Sequence, residues 1–99
     1  MAIYQVTYWQ EIPSQVDARE AGKLHKEVLT QRFQELIDII AVRRKLDGSD
    51  AYINEWNKGK KVERPGSATE VAKAVAAELE AQFDGIRANA LQQPANAKS

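Results

Sequence analysis

Alternation governs the start of the chain. Tyr4, Val6 and Tyr8 fall on one side of an extended strand and Gln5, Thr7 and Trp9 on the other, with strand-forming residues at nearly every position. Pro13 fixes its own φ and pushes Ile12 toward extended backbone, so Gln10 to Ser14 reads as the turn that ends this strand. Alternation resumes over Gln15 to Arg19 with Val16 and Ala18 on the buried side, which predicts an antiparallel hairpin. Ala21 and Gly22 break the pattern, and Lys23 to Lys26 either prolongs the second strand or connects it to the next element.

The period then changes from two to three or four. Phe33, Leu36, Ile37, Ile40 and Ala41 form one face of an amphipathic helix of about four turns, with Thr30 as its cap and Gln31, Gln34, Glu35 and Asp38 on the far face. Arg43, Arg44 and Lys45 suit the carbonyl end of the helix dipole, and Gly48 is the expected left-handed stop. Ser49 offers a second cap, and Ala51 to Trp56 reads either as a short helix carrying Tyr52 and Trp56 on one face or as a strand. Lys60 to Arg64, with Val62 among charges, reads as a connector or a brief edge strand. Ser67 and Glu70 have the spacing of a capping box, and Val71, Val75, Leu79, Phe83 and Ile86 make one stripe along an alanine-rich helix. The fold expected is α+β: a small antiparallel sheet, made of the hairpin and a candidate third strand, covered on one face by two long amphipathic helices. Residues 1–91 are expected to form a single domain, and 92–99, which has no apolar periodicity, a flexible tail.

Composition narrows the function classes. At 99 residues the chain has room for one core and little spare volume for an enclosed cofactor pocket. Fourteen basic and fourteen acidic side chains cancel, so no global field draws in nucleic acid or an anionic membrane, and any electrostatic site is local. No cysteine is present, which removes disulfides, thiolate ligands and a thiol nucleophile and suits a reducing cytoplasm. Neither a secretory leader nor an apolar run long enough for a membrane span is evident, so a cytoplasmic protein is expected.

The candidate sites each have a plainer alternative. His25 has no second histidine to share a metal and no identified orienting carboxylate, so a surface role is favoured over a catalytic one. Glu35 and Asp38 share a helix face but lack the acidic loop spacing of a calcium site, and no metal or cofactor is expected. Arg43 and Arg44 at the end of one helix, with Lys58, Lys60, Lys61 and Arg64 in a later loop, are drawn as one positive patch that could hold an anionic small molecule. The local sequence Asn57-Lys58-Gly59-Lys60 is no phosphate loop, so a solvated rim competes with that reading. Among the aromatics, Trp9 and Trp56 have the contact area and polar handle of binding anchors, with Gln10, Glu11 and Gln15 beside Trp9 as hydrogen-bonding companions. The expected surface is therefore the uncovered sheet face around Trp9, docking another protein or a second copy.

The residues Tyr8-Trp9, Ile12-Pro13-Ser14-Gln15-Val16, Arg32-Phe33 with Ile37-Asp38, Gly48-Ser49-Asp50 with Tyr52 and Trp56, and Val71-Ala72 with Val75-Ala76-Ala77-Glu78-Leu79 carry a resemblance. On these the chain resembles a family of small bacterial proteins labelled virulence factor. The resemblance brings no catalytic residue with it. It implies a non-enzymatic accessory role beside enzymes of folate- and corrinoid-linked one-carbon transfer. The alternative is a small enzyme or anion binder built on Lys58 to Arg64 with Arg43 and Arg44.

Overall fold

The computed structural model describes residues 1–92. Strands β1 (Ala2–Trp9), β2 (Ile12–Glu20) and β3 (Lys23–Val28) come first, then helices α1 (Gln31–Arg43) and α2 (Ser49–Asn54). Short strands β4 (Trp56–Lys58) and β5 (Val62–Arg64) follow, and helices α3 (Ala68–Ala81) and α4 (Phe83–Gln92) complete the order. The sheet is antiparallel in the order β3, β2, β1, β4, with β5 also paired to β1. The expected α+β architecture is present, with five strands where the sequence pattern shows one sure hairpin.

The first turn is tighter than the proline suggests. Trp9 pairs with Ile12, so the connection is Gln10-Glu11 alone, and Gln10 takes a positive φ of 53°. Pro13 lies inside β2 opposite Tyr8. It is tolerated because the β1–β2 register shifts between Thr7 and Tyr8, and because β3 reaches only as far as Gln15 in its pairing with β2. The second turn, Ala21-Gly22, has both φ values positive, 51° and 80°, the backbone of a two-residue turn matched to strand twist. That turn makes Lys23–Val28 a full third strand, which resolves the ambiguity of this segment.

Beyond β1 the sheet position is shared. β4 pairs with Thr7 to Trp9 and β5 with Ala2 to Tyr4, and the link between them is held by Gly59 N–H donating to the Val6 carbonyl at 2.8 Å and by the Gln5 amide donating to the Gly59 carbonyl at 2.8 Å. A Cβ at Gly59 would come within 3.0 Å of the Tyr8 ring, so only glycine fits this crossing without a shift.

Helices α1, α3 and α4 cover one side. Helix α3 lies across β1, β2 and β3, α1 packs on β2, and α4 packs against α1 and α3. Ala68, Ala72 and Ala76 are buried on the inner face of α3, and their small side chains let the helix sit close to Val6, Val16 and Ala18 of the sheet. Helix α3 starts on the capping box: Ser67 N–H donates to Glu70 Oε1 at 3.0 Å and Glu70 N–H to Ser67 Oγ at 3.1 Å. The buried stripe of α1 is Phe33, Leu36, Ile37, Ile40 and Ala41, as its spacing predicts.

Three helix ends differ from expectation. Thr30 stands at the N-cap of α1, but its backbone N–H and hydroxyl both donate to Glu80 of α3, so the helix is tied to its neighbour rather than capped by its own side chain. The helix stops at Lys45, not Gly48. Lys45 has φ 57°, its N–H donates to Val42, and Leu46 N–H donates to Ala41 at 2.7 Å, the paired bonds of a left-handed helix stop. Gly48 instead precedes α2, at φ −72°. The C-terminal stripe runs through two helices interrupted at Gln82, where the Phe83 ring meets Phe33 edge-on at 5.0 Å beneath the Arg32 guanidinium, 4.3 Å from the Phe83 centroid. Of the flexible tail expected over 92–99, Gln92 closes α4 and 93–99 lie outside the described residues.

Candidate functional site

Strand alternation sorts the sheet into two surfaces. On the side facing away from α3, the cross-strand rows read Leu24, Arg19, Ile3, Glu63; then Lys26, Asp17, Gln5; then Val28, Gln15, Thr7, Lys58. Ile3 is 44%, Leu24 43% and Val28 69% exposed, large apolar side chains left in water on one face. Between them lies a shallow depression of about 240 Å³ lined by Ile3, Gln5, Asp17, Arg19, Lys26, Lys58 and Lys61 among others.

The electrostatics of this face lean positive. Arg19, Lys26, Lys58 and Lys61 have no carboxylate within 4.0 Å among the described residues. Against these four cations stand two acids on the same face, Asp17 and Glu63. Asp17 accepts from the Gln15 amide at 2.7 Å and stands opposite Lys26 in the β2–β3 ladder, though their charged groups are not within 4.0 Å, so it offsets part of this charge. A neutral chain thus carries a local excess of positive charge on a slightly concave, partly apolar sheet surface.

Trp9 is not part of that surface. It is fully buried, its indole N–H donates to the Tyr52 carbonyl at 2.9 Å, and its ring stacks on Tyr52 at 5.5 Å. Helix α2 supplies that cover, and Gln34 of α1 in turn donates to the Tyr52 hydroxyl at 3.0 Å. The expectation of Trp9 as a partner anchor is therefore corrected, because α2 folds back over the end of the sheet where alternation alone leaves Trp9 free. Trp56, its register partner in β4, is half-buried with its ring edge-on to Tyr52 at 6.0 Å. Gln10 and Glu11 are engaged within the molecule as well. The Gln10 amide donates to Glu55 at 3.0 Å, its side-chain oxygen accepts from Arg44, and Glu11 takes two bonds from Arg44, at 2.8 Å and 2.6 Å. The Arg44 guanidinium, nearly all buried, holds the Glu11 carboxyl below the usual glutamate range. Of the expected hairpin contacts, Gln15 lies in the bare-face rows.

The single basic patch is also corrected. Arg44 sits at the Gln10-Glu11 turn and Arg64 opposite Ala2, the two ends of β1, which an eight-residue strand separates by about 25 Å. Arg43 donates to the Leu91 carbonyl, and Arg64 is neutralised by Glu78. Lys60 borders a different groove, between Tyr4, Tyr8 and α3, while Lys61 faces the bare sheet. The five-stranded pairing and the helices packed on it place these residues, which no sequence spacing could reveal.

His25 and Glu27 point to the α3 side of β3. Their side chains meet at 2.9 Å and Lys73 lies 3.8 Å from the same carboxylate, so this is a surface polar cluster built around Glu27. The His25 contact is the main influence holding the Glu27 carboxyl below its ordinary range. Among the described residues no group of three or more His, Cys, Asp or Glu is arranged to hold a metal ion.

A family model described as Virulence factor matches residues 7–91. The chain belongs to the virulence-factor family. No curated protein and no solved structure matches the chain. In this virulence-factor protein the matched span contains the bare-face cations Arg19, Lys26, Lys58 and Lys61 together with Leu24 and Val28. Arg19, Leu24, Lys26 and Val28 are not among the residues that the sequence pattern points to, because residues 23–26 read equally as strand or connector. The alternation of Leu24, Lys26 and Val28 after the Ala21-Gly22 turn is the signal that identifies them.

Proposed function

We propose that this virulence-factor protein is a non-enzymatic binding module that docks a partner protein on its bare sheet face. The observation that carries the reading is the grouping of exposed Ile3, Leu24 and Val28 with Arg19, Lys26, Lys58 and Lys61, none of them in an ion pair among the described residues, on the part of the sheet surface that no described helix covers. Charge complementarity selects the occupant: a protein surface that is acidic around an apolar centre. Two copies meeting face to face would oppose like charges, so a different partner is favoured over self-association through this face. Cytoplasmic location and an accessory role beside folate- or corrinoid-linked one-carbon enzymes belong to the same proposal: the cysteine-free sequence suits a reducing compartment, and the accessory role rests on the resemblance drawn from the sequence alone. No helix among the described residues is long and apolar enough to cross a membrane.

A small anionic ligand is the weaker reading. The depression on the bare face is below the roughly 300–1,000 Å³ of ordinary ligand pockets. The groove beside α3, about 340 Å³, is lined by Lys60, which has no ion pair among the described residues, while Arg64 is committed to Glu78. The test compares the wild-type chain with a Lys58→Glu, Lys61→Glu double variant, both exposed positions whose reversal leaves the core untouched. A protein captured from the native host, identified and then reconstituted from purified components should lose at least about tenfold in affinity with the variant and weaken as salt is raised. Equal affinity for both forms, or melting-temperature shifts with folates, cobalamins or nucleotides and no protein partner, would overturn the reading.

A further inference from the structure

Strand β3 ends the sheet, and the phase of its hydrogen bonds shows what it leaves open. Leu29 N–H donates to the Ser14 carbonyl at 3.0 Å, which makes Gln15 and Val28 a non-hydrogen-bonded pair of the antiparallel ladder. Lys23, His25 and Glu27 therefore direct their backbone groups at β2. Leu24, Lys26 and Val28 direct theirs outward, and among the described residues no backbone group bonds to them there. The same three residues have exposed side chains, and all three stand on the bare face.

We propose that the partner enters as an extended segment that adds a strand to the outer edge of β3. This deepens the binding reading above and rests on it. The edge dictates the pattern of that segment. Side chains directly opposite across a ladder meet, so the position facing Lys26 takes an aspartate or glutamate, and the positions two residues to either side, facing Leu24 and Val28, take apolar residues. The pattern apolar, any, acidic, any, apolar reads the same in both directions and so suits either strand orientation. A second copy of β3 fits poorly. Centred on Lys26 it sets lysine against lysine, and shifted by one step it sets Lys26 against Leu24, with no acid for either lysine in either register.

The probe is a fluorescein-labelled peptide with the core valine, threonine, glutamate, threonine, valine, titrated by fluorescence polarisation against the full chain. Lys26→Pro is the decisive variant. Its N–H points away from β2, so proline there removes an outward donor while the ladder to β2 stays intact. The expected result is binding by the wild type, at least about tenfold weaker binding by Lys26→Pro, and a similar loss when the peptide glutamate is replaced by lysine. Amide hydrogen exchange on the wild type supplies a second readout that does not depend on the variant folding. Peptide should slow exchange at Leu24, Lys26 and Val28, whereas His25 and Glu27 are already protected by β2. Absence of binding, equal binding by a folded Lys26→Pro chain, or protection confined to other amides overturns the strand-addition inference. If a partner still depends on Lys58 and Lys61 in that event, the bare-face reading survives and only the mode of entry is wrong.

Discussion

Removing the Trp9 side chain should nearly unfold the protein, and the structure indicates by how much. Trp9 is 0% exposed, stacked on Tyr52 and bonded to its carbonyl. Truncating a buried aromatic to alanine costs about 3–5 kcal/mol from lost transfer energy and the cavity left behind. The Tyr52 carbonyl, deprived of its donor, adds roughly 1–3 kcal/mol wherever water cannot replace the indole. Against a total of about 5–15 kcal/mol for a domain of this kind, Trp9→Ala consumes most of the margin. At about 4–8 °C per kcal/mol for a domain of this size, the melting temperature should fall by 15 °C or more, roughly, or the transition should vanish. Trp9→Phe keeps a ring against Tyr52 and should lose about 2–3 kcal/mol, chiefly the hydrogen bond and part of the volume. Urea unfolding followed by circular dichroism measures both. In a Trp56→Phe background, the remaining Trp9 fluorescence should be blue-shifted and resistant to acrylamide. A Trp9→Ala chain melting within about 2 °C of wild type, or a freely quenched Trp9, would refute the reasoning and restore Trp9 to the surface.

Two further perturbations concern the hairpin tip and the α1 stop. The Glu11 carboxyl is held below its ordinary range first by its hydrogen bonds from Arg44, so this pair contributes stability that is fully present above the unfolded glutamate pKa and lost as pH falls through the lowered folded value. Glu11 is partly exposed, and after discounting for solvent screening the contribution is about 1 kcal/mol. Urea midpoints compared between neutral pH and pH about 3 should converge for Glu11→Gln and wild type at the acid end. A gap that persists unchanged at low pH counts against the pair. Lys45 occupies the left-handed position that closes α1, so Lys45→Gly should raise stability by up to about 1 kcal/mol, read as a higher urea midpoint at unchanged slope. A lower midpoint would show that the lysine side chain outweighs the backbone strain.

Much of the architecture was legible in residue order because it depends on local rules. Val16 and Ala18 emerge on the buried face of β2, the α1 stripe from Phe33 to Ala41 is buried throughout, and Ser67 with Glu70 forms the capping box that its spacing announces. Each depends on neighbours a few positions apart. Strand β3 was less legible, since Lys23, Lys26 and Glu27 look like a solvated linker until the Ala21-Gly22 turn is seen to fold the chain back on β2. The stop of α1 falls at Lys45 rather than at the expected Gly48 for a related reason: glycine is the usual left-handed residue, but here the paired bonds from Lys45 and Leu46 hold a lysine in that conformation.

Periodicity in the chain decided which residues are helical, which are extended and which side of each is apolar, because those choices concern backbone sterics and side-chain direction over a few residues. Tertiary structure alone decided which charges are neighbours and which aromatic is hidden. Arg44 and Arg64 lie at opposite ends of β1 and each meets its own carboxylate, Lys26 and Lys58 come onto one face from strands far apart in the chain, and Tyr52 of α2 closes over Trp9. Contacts between residues dozens of positions apart depend on how layers stack and where a short helix turns back, and no local period encodes that.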